Sequence, residues 1–236
     1  MIEPSLELRP SQSNWASLLD LALPALDYVF LGLNFAEHPP GQPLWTLGGG
    51  TAMALRINHR ASDDIDIFVA GTPLRLFAPA NNPASKMISG RPDWPGHYLK
   101  FHCDNGEIDF LSAPLQTTPG YSVEVFRGRK IALETIEEIV IKKIRYRAAQ
   151  FTPRDAFDLA CAGKALPNLP RIMARETGDA LPRLEQGLIL LGSRDQAFLE
   201  SPIRATPEFQ AILPEAIRQA QEILQQAKTI FASRSW

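Results

Sequence analysis

Three aspartates with matching surroundings are the residues best suited to chemistry in this chain. Asp64 and Asp66 stand in Asp63-Asp64-Ile65-Asp66-Ile67-Phe68. Side chains alternate along a strand, so Asp64 and Asp66 leave one face while Ile65 and Ile67 pack on the other. Carboxylates about 6–7 Å apart along a strand can hold one or two magnesium ions through oxygen ligands. Asp109, in Glu107-Ile108-Asp109-Phe110-Leu111, repeats the pattern on a second strand, and Glu107 shares its face as a competitor for the same role.

The second chemical feature is Leu47-Gly48-Gly49-Gly50-Thr51-Ala52-Met53-Ala54-Leu55. Pro43 to Leu47 reads as a buried strand, and Thr51 to Ile57 as a helix. The three glycines between them permit positive φ and close approach of a ligand to the backbone. Free N–H groups and the positive end of the helix dipole gather there, which favours a phosphate. A dinucleotide fingerprint is excluded because Met53 stands where its third glycine belongs, and the chain has no Gly-Lys-Ser/Thr triplet of a Walker loop. A glycine turn followed by paired carboxylates suits a magnesium-bound nucleoside triphosphate.

Other elements must position these groups. His97 to Cys103 alternates, and Asp104-Asn105-Gly106 reads as a hairpin turn into the Asp109 strand. Thr135 and Glu138 form a capping-box pattern opening a helix with Ile136, Ile139, Val140 and Ile144 on one side. Lys143 falls on or beside that stripe, where it either snorkels or reaches a phosphate, and Lys142 is expected to face outward. Thr152, Pro153 and Asp155 form a helix start signal that accounts for Asp155 structurally. Asp158, one turn further on, has no capping role to explain it. Ser62 either contacts phosphate or caps the acidic strand. Arg127, Arg129, Lys130, Lys142, Lys143, Arg145 and Arg147 concentrate positive charge mid-chain, as an RNA backbone or a solvated face would require.

These motifs together resemble the AbiEii/AbiGii-type toxin nucleotidyltransferases of the DNA-polymerase-β-like superfamily. The resemblance rests on Gly49-Gly50-Thr51-Ala52-Met53-Ala54-Leu55, on His59-Arg60-Ala61-Ser62-Asp63-Asp64-Ile65-Asp66-Ile67-Phe68, on the lysine-bearing helix and on Arg154-Asp155-x-x-Asp158, with Met53 in place of the usual leucine. It implies an α+β fold, a polymerase-β-like core with a mixed sheet followed by a C-terminal helical region. It implies NTP as substrate, Mg2+ (or Mn2+) bound by Asp64, Asp66 and Asp109, and Asp109 assisting an attacking hydroxyl. Gly49, Gly50, Thr51, Ser62, Lys142, Arg154, Asp155 and Asp158 belong near the nucleotide on this reading, and Lys143 neutralises the phosphates. Asp155 and Asp158 either bind nucleotide or orient Lys143 by ion pairing. The activity implied is transfer of a nucleoside monophosphate to RNA, with transfer RNA as acceptor, by a toxin paired with an antitoxin or acting in phage defence. A small-molecule nucleotidyltransferase of the antibiotic-modifying kind, or a non-catalytic module of the same fold, are the alternatives.

Composition sets the frame. The 236 residues are 45% apolar with a net charge of −2, which suits a globular chain and argues against a general nucleic-acid coat. Leu18 to Leu33 comes nearest to a membrane span but contains Asp20, Pro24 and Asp27, and no signal peptide is recognisable, so a cytoplasmic protein with no membrane association is expected. Cys103 and Cys161 make no disulfide framework, and the four histidines lack zinc spacing. Residues 1–133 are expected to form the nucleotidyltransferase core, opened by a helix around Trp15 to Phe30, with a surface excursion from Gly71 to Gly96. Residues 134–236 are expected to be helical and to complete the active-site cleft, ending in an amphipathic helix from Thr206 to Ser233 interrupted at Pro214.

Overall fold

The computed structural model describes residues 13–31, 42–88, 92–194 and 203–233. The chain divides into two units, Met1–Leu55 with Ser62–Thr135, and Arg56–Ala61 with Ile136–Trp236.

A six-stranded mixed sheet organises the first unit, and its apolar rows decide which side chains face the other way. The strands are β1 (Thr46–Gly48), β2 (Ile65–Phe68), β3 (Tyr98–Cys103), β4 (Gly106–Leu111), β5 (Tyr121–Phe126) and β6 (Arg129–Glu134), in the order β3-β4-β2-β1-β6-β5. Helix α1 (Trp15–Phe30) and helix α2 (Gly49–Ile57) complete the scaffold. Leu99, Phe110, Ile67, Leu47 and Leu133 pair in one row across five strands, and all five are buried. Leu18, Leu19, Ala22 and Leu26 of α1 are buried with them. The ladder of β1 begins at Thr46, three residues later than the apolar run suggests, although Pro43 already forms an isolated bridge. β6 extends through Glu134, so helix starts slightly later than residue 134. The edge hairpin β5–β6 had no clear sequence signal.

The segment from Gly71 to Gly96 is less superficial than its composition suggests. It holds two 3-10 helices, Leu74–Phe77 and Ala84–Met87, and residues 89–91 lie outside the described residues. Phe77 is fully buried and stacks on Phe110 with centroids 4.7 Å apart. Buried Asn82 donates to the Ala25 carbonyl at 2.9 Å.

The second unit is helical: α3 (Ile136–Arg147), α4 (Pro153–Ala165), α5 (Leu169–Thr177), α6 (Leu181–Gly192) and α7 (Ala216–Ser233). Pro214 sits in a 3-10 turn, Gln210–Glu215, that precedes α7. Phe157, Ala160, Cys161, Ile203, Phe209, Ile212 and Ala216 form one of its buried clusters. Residues 58–61 join this unit because their backbone pairs with 204–206. Arg60 bridges Ala205, the Ala61 N–H donates to Arg204 O at 3.0 Å, and the Thr206 N–H donates to His59 O at 3.0 Å. Among the described residues, no helix is long and apolar enough to cross a membrane.

Candidate active site

The register that buries one row of the sheet assembles another on its opposite face. Lys100, Asp109, Asp66 and Gly48 pair in sequence across β3, β4, β2 and β1, one residue out of step with the apolar row. The glycine turn begins where this row ends. Of its three glycines only Gly49 is left-handed, with φ 66°. A Cβ at Gly49 would overlap the Asp66 carboxylate, so the backbone of the turn and that carboxylate are in direct apposition. Gly48 lies in β1, where a Cβ would collide with the Glu134 carboxylate and the Phe68 ring, and Gly50 is already inside α2. The expectation of positive φ at all three glycines thus narrows to one, the other two serving close packing and the helix start.

Asp109 is perturbed toward its neutral form. Burial, and then the charge of Asp66 beside it, push its pKa up to about 6. Lys100 Nζ lies 3.1 Å from Asp109 Oδ2 and also binds Glu107. Burial works against the Lys100 ammonium, but the two carboxylates outweigh it and hold its pKa above the ordinary lysine range. The buried Oδ1 of Asp109 has no hydrogen-bond partner. A divalent cation fits this arrangement, since it would offset the repulsion between Asp66 and Asp109 and give that oxygen a ligand. Among the described residues no three His, Cys, Asp or Glu side chains gather as a ready-made metal cluster. What the sheet offers is a carboxylate pair, Asp66 beside Asp109.

The other expected groups of this unit are hydrogen-bonded to the framework around that pair. Asp64 Oδ1 accepts the backbone N–H of Glu107 at 3.2 Å, which ties the entry of β2 to the start of β4. The hydroxyl of buried Thr51 donates to the Asp64 carbonyl, fastening α2 to the same point. Ser62 is buried, and its carbonyl accepts the Ser13 hydroxyl. Glu134 is a fully buried carboxylate beside Gly48 that accepts the Thr46 hydroxyl at 2.6 Å. Arg127 pairs with Asp20 at 2.8 Å, and Arg129 Nη1 donates to Asp27 Oδ2 at 3.0 Å, so both lie on carboxylates of α1.

The second unit holds a separate charged cluster, centred on fully buried Asp158. Its Oδ1 accepts His59 Nε2 and Arg60 Nε, each at 2.7 Å, and its Oδ2 accepts Arg60 Nη2 at 3.0 Å and Lys143 Nζ at 2.5 Å. Lys143 also binds Asp155 Oδ1 at 2.8 Å, and Arg147 binds the same oxygen. Asp155 forms a capping box with Thr152, accepting its N–H at 3.0 Å and donating its own to Thr152 Oγ1 at 3.2 Å. Asp155 and Asp158 both form ion pairs with Lys143. Burial holds the His59 imidazole below its ordinary range although Asp158 pulls the other way, and facing that carboxylate it is Nε2 that carries the hydrogen. That ring stacks on Phe157 with centroids 5.9 Å apart.

Lys142 corrects an expectation. It is buried and pairs with Glu138 at 3.3 Å, rather than facing outward, because α3 is covered on more than its apolar stripe. Arg154 is exposed on the first turn of α4.

The same cluster sets a pH dependence. Burial disfavours the Asp155 charge, but Lys143 and Arg147 outweigh it and lower its pKa from 3.8 to about 2, and Asp158 is held well below its ordinary value. A carboxylate with a depressed folded pKa stabilises above its unfolded pKa, and that stability is lost as pH falls through the folded value. Urea midpoints are therefore expected to fall steadily from pH 5 to pH 2, and the Asp155→Asn variant should show a shallower fall.

Residues 34–125 match the model of a family described as nucleotidyl transferase AbiEii toxin, type IV TA system. No curated protein matches the chain. Among solved structures, the nucleotidyltransferase toxin MenT4 from Mycobacterium tuberculosis is similar at 16% identity and TM-score 0.53, over 89% of this chain and 84% of that one. JHP933 from Helicobacter pylori aligns at 17% identity and TM-score 0.45, over 95% of this chain and 97% of that one. ANT(2'')-Ia in complex with adenylyl-2''-tobramycin aligns at 18% identity and TM-score 0.47, over 70% of this chain and 98% of that one. The likeness to MenT4 shows that this chain shares the fold of that protein.

Proposed function

We propose that this chain, a nucleotidyltransferase carrying the AbiEii toxin domain, moves a nucleoside monophosphate from an NTP to a hydroxyl of RNA, with transfer RNA as the acceptor. The observation that carries this reading is the apposition of the Gly49 turn, Asp66 and Asp109 on one face of the sheet. The acceptor oxygen attacks the α-phosphorus, the bond from that phosphorus to the bridging oxygen breaks, and pyrophosphate leaves with the electron pair. The hydroxyl proton passes to Asp109. Backbone N–H groups at the head of α2 hold the phosphates. Asp64, Asp66 and Asp109 would hold Mg2+, which supplies charge stabilisation to the phosphoryl oxygens when bound. Lys143 is assigned to the phosphates by the family resemblance alone. The family implies a cognate antitoxin as protein partner.

Gly49→Ala is expected to lower transfer at least about a hundredfold, because the new Cβ displaces the Asp66 carboxylate and small misplacements at a reacting centre cost that much. Initial-rate assays on the folded variant check it.

The test of the function itself is incubation with Mg2+, each α-labelled ribonucleoside triphosphate and total bacterial RNA. A labelled band of transfer-RNA size is the expected result. Label appearing only on a hydroxylated small molecule would move the acceptor to that class, and no label with retained nucleotide binding would overturn RNA as acceptor.

A further inference from the structure

We infer that Lys100 is a tethered counter-cation that weakens the binding of a divalent metal by the Asp66–Asp109 pair alone, so that metal is held more tightly together with the triphosphate. The inference rests on the reading of these aspartates as metal ligands. It comes from the order of charges across the sheet. Lys100, Asp109 and Asp66 are consecutive partners on β3, β4 and β2, followed by Gly48 and the glycine turn. The ammonium therefore sits on the far side of Asp109 from Asp66, 3.1 Å from Oδ2, while the buried Oδ1 is left without a hydrogen-bond partner.

Lys100 is held there from two sides. It is Asp109's direct cross-strand neighbour, and Glu107, two residues before Asp109 on the same strand face, binds the same ammonium. His102 Nδ1 lies 3.0 Å from the other Glu107 oxygen, which fixes Glu107 in turn. A side chain pinned this way cannot swing clear without leaving both carboxylates.

A metal bound between Asp66 and Asp109 would lie about one and a half strand spacings, roughly 7 Å, from the strand position of Lys100. Repulsion between a single and a double positive charge at that separation in high dielectric changes affinity by about tenfold. The triphosphate brings negative charge that offsets this repulsion, so the penalty falls on metal binding alone. The consequence is that the carboxylate pair binds metal more weakly before nucleotide arrives than after it.

The test measures Mn2+ binding by electron paramagnetic resonance, without nucleotide and at low ionic strength, in wild type, Lys100→Met, Lys100→Arg and Asp66→Ala. Lys100→Met is expected to bind Mn2+ about tenfold tighter than wild type, with Lys100→Arg close to wild type because it keeps the charge. Lys100→Gln replaces the methionine variant if that one does not fold. Equal or weaker binding in Lys100→Met, alongside wild-type binding that Asp66→Ala abolishes, overturns the inference and leaves the metal reading intact. Failure of both wild type and Lys100→Met to bind Mn2+ overturns both.

Discussion

Asp66→Ala is expected to reduce nucleotide transfer by at least about a thousandfold, since several kcal/mol of transition-state charge stabilisation would be lost with the metal ligand. The fold should survive. Asp66 lies on the face of β2 opposite Ile65 and Ile67, whose burial anchors the strand, so its removal leaves no cavity in that core. It also removes a negative charge that disfavours ionisation of Asp109. The melting temperature should therefore be unchanged or higher, a direction that a damaged fold would not produce. Calorimetry on the same preparation used for the labelling assay separates the two effects. Full transfer activity in this variant would sink the proposed chemistry.

Asp158→Ala is expected to have the opposite profile, with stability as its main casualty. The carboxylate is fully buried and receives His59, Arg60 and Lys143 at once. Removing it leaves buried cations uncompensated, a change that costs about 3–5 kcal/mol. Because Arg60 follows residues 58–59, which are hydrogen-bonded to Thr206, the loss should also loosen the pairing of 58–61 with 204–206. Hydrogen exchange at the Ala61 and Thr206 amides would show it as reduced protection, and urea denaturation would give the magnitude. Asp158→Asn should be milder, since the amide keeps one acceptor oxygen while losing the charge. Equal stability of Asp158→Ala and wild type would mean that the buried network is not a source of cohesion.

Local chemistry explains which parts of this protein could be read before any fold was known. The acidic strand β2, the helix after the glycine turn, the β3–β4 hairpin and the capping box of α4 are each specified by residues within a few positions of one another. Alternation and capping act over that range, so sequence alone is enough for them. Lys100 was within reach too. Counting outward from the two-residue turn at Asp104-Asn105 sets Lys100 opposite Asp109. It went unread because a lysine on an alternating strand looks like an ordinary solvated side chain.

The rest depended on long-range packing. Asp66 meets Asp109 only because β2 and β4 pair in parallel, and neighbouring strands in one sheet can adopt many registers until the whole apolar row, from Leu99 to Leu133, is buried together. Glu134 becomes a buried acid beside Gly48 through the β1–β6 pairing, which no motif announces. Lys142 and Lys143 are adjacent in sequence, yet one pairs within its own helix to Glu138 and the other with α4. His59 and Arg60 belong by motif to the acidic strand that follows them, but their side chains end on Asp158, about a hundred residues away. Sequence patterning carries the elements and the chemical types; the pairing of distant charges is chosen only when desolvation in the folded chain forces each buried ion to find its partner.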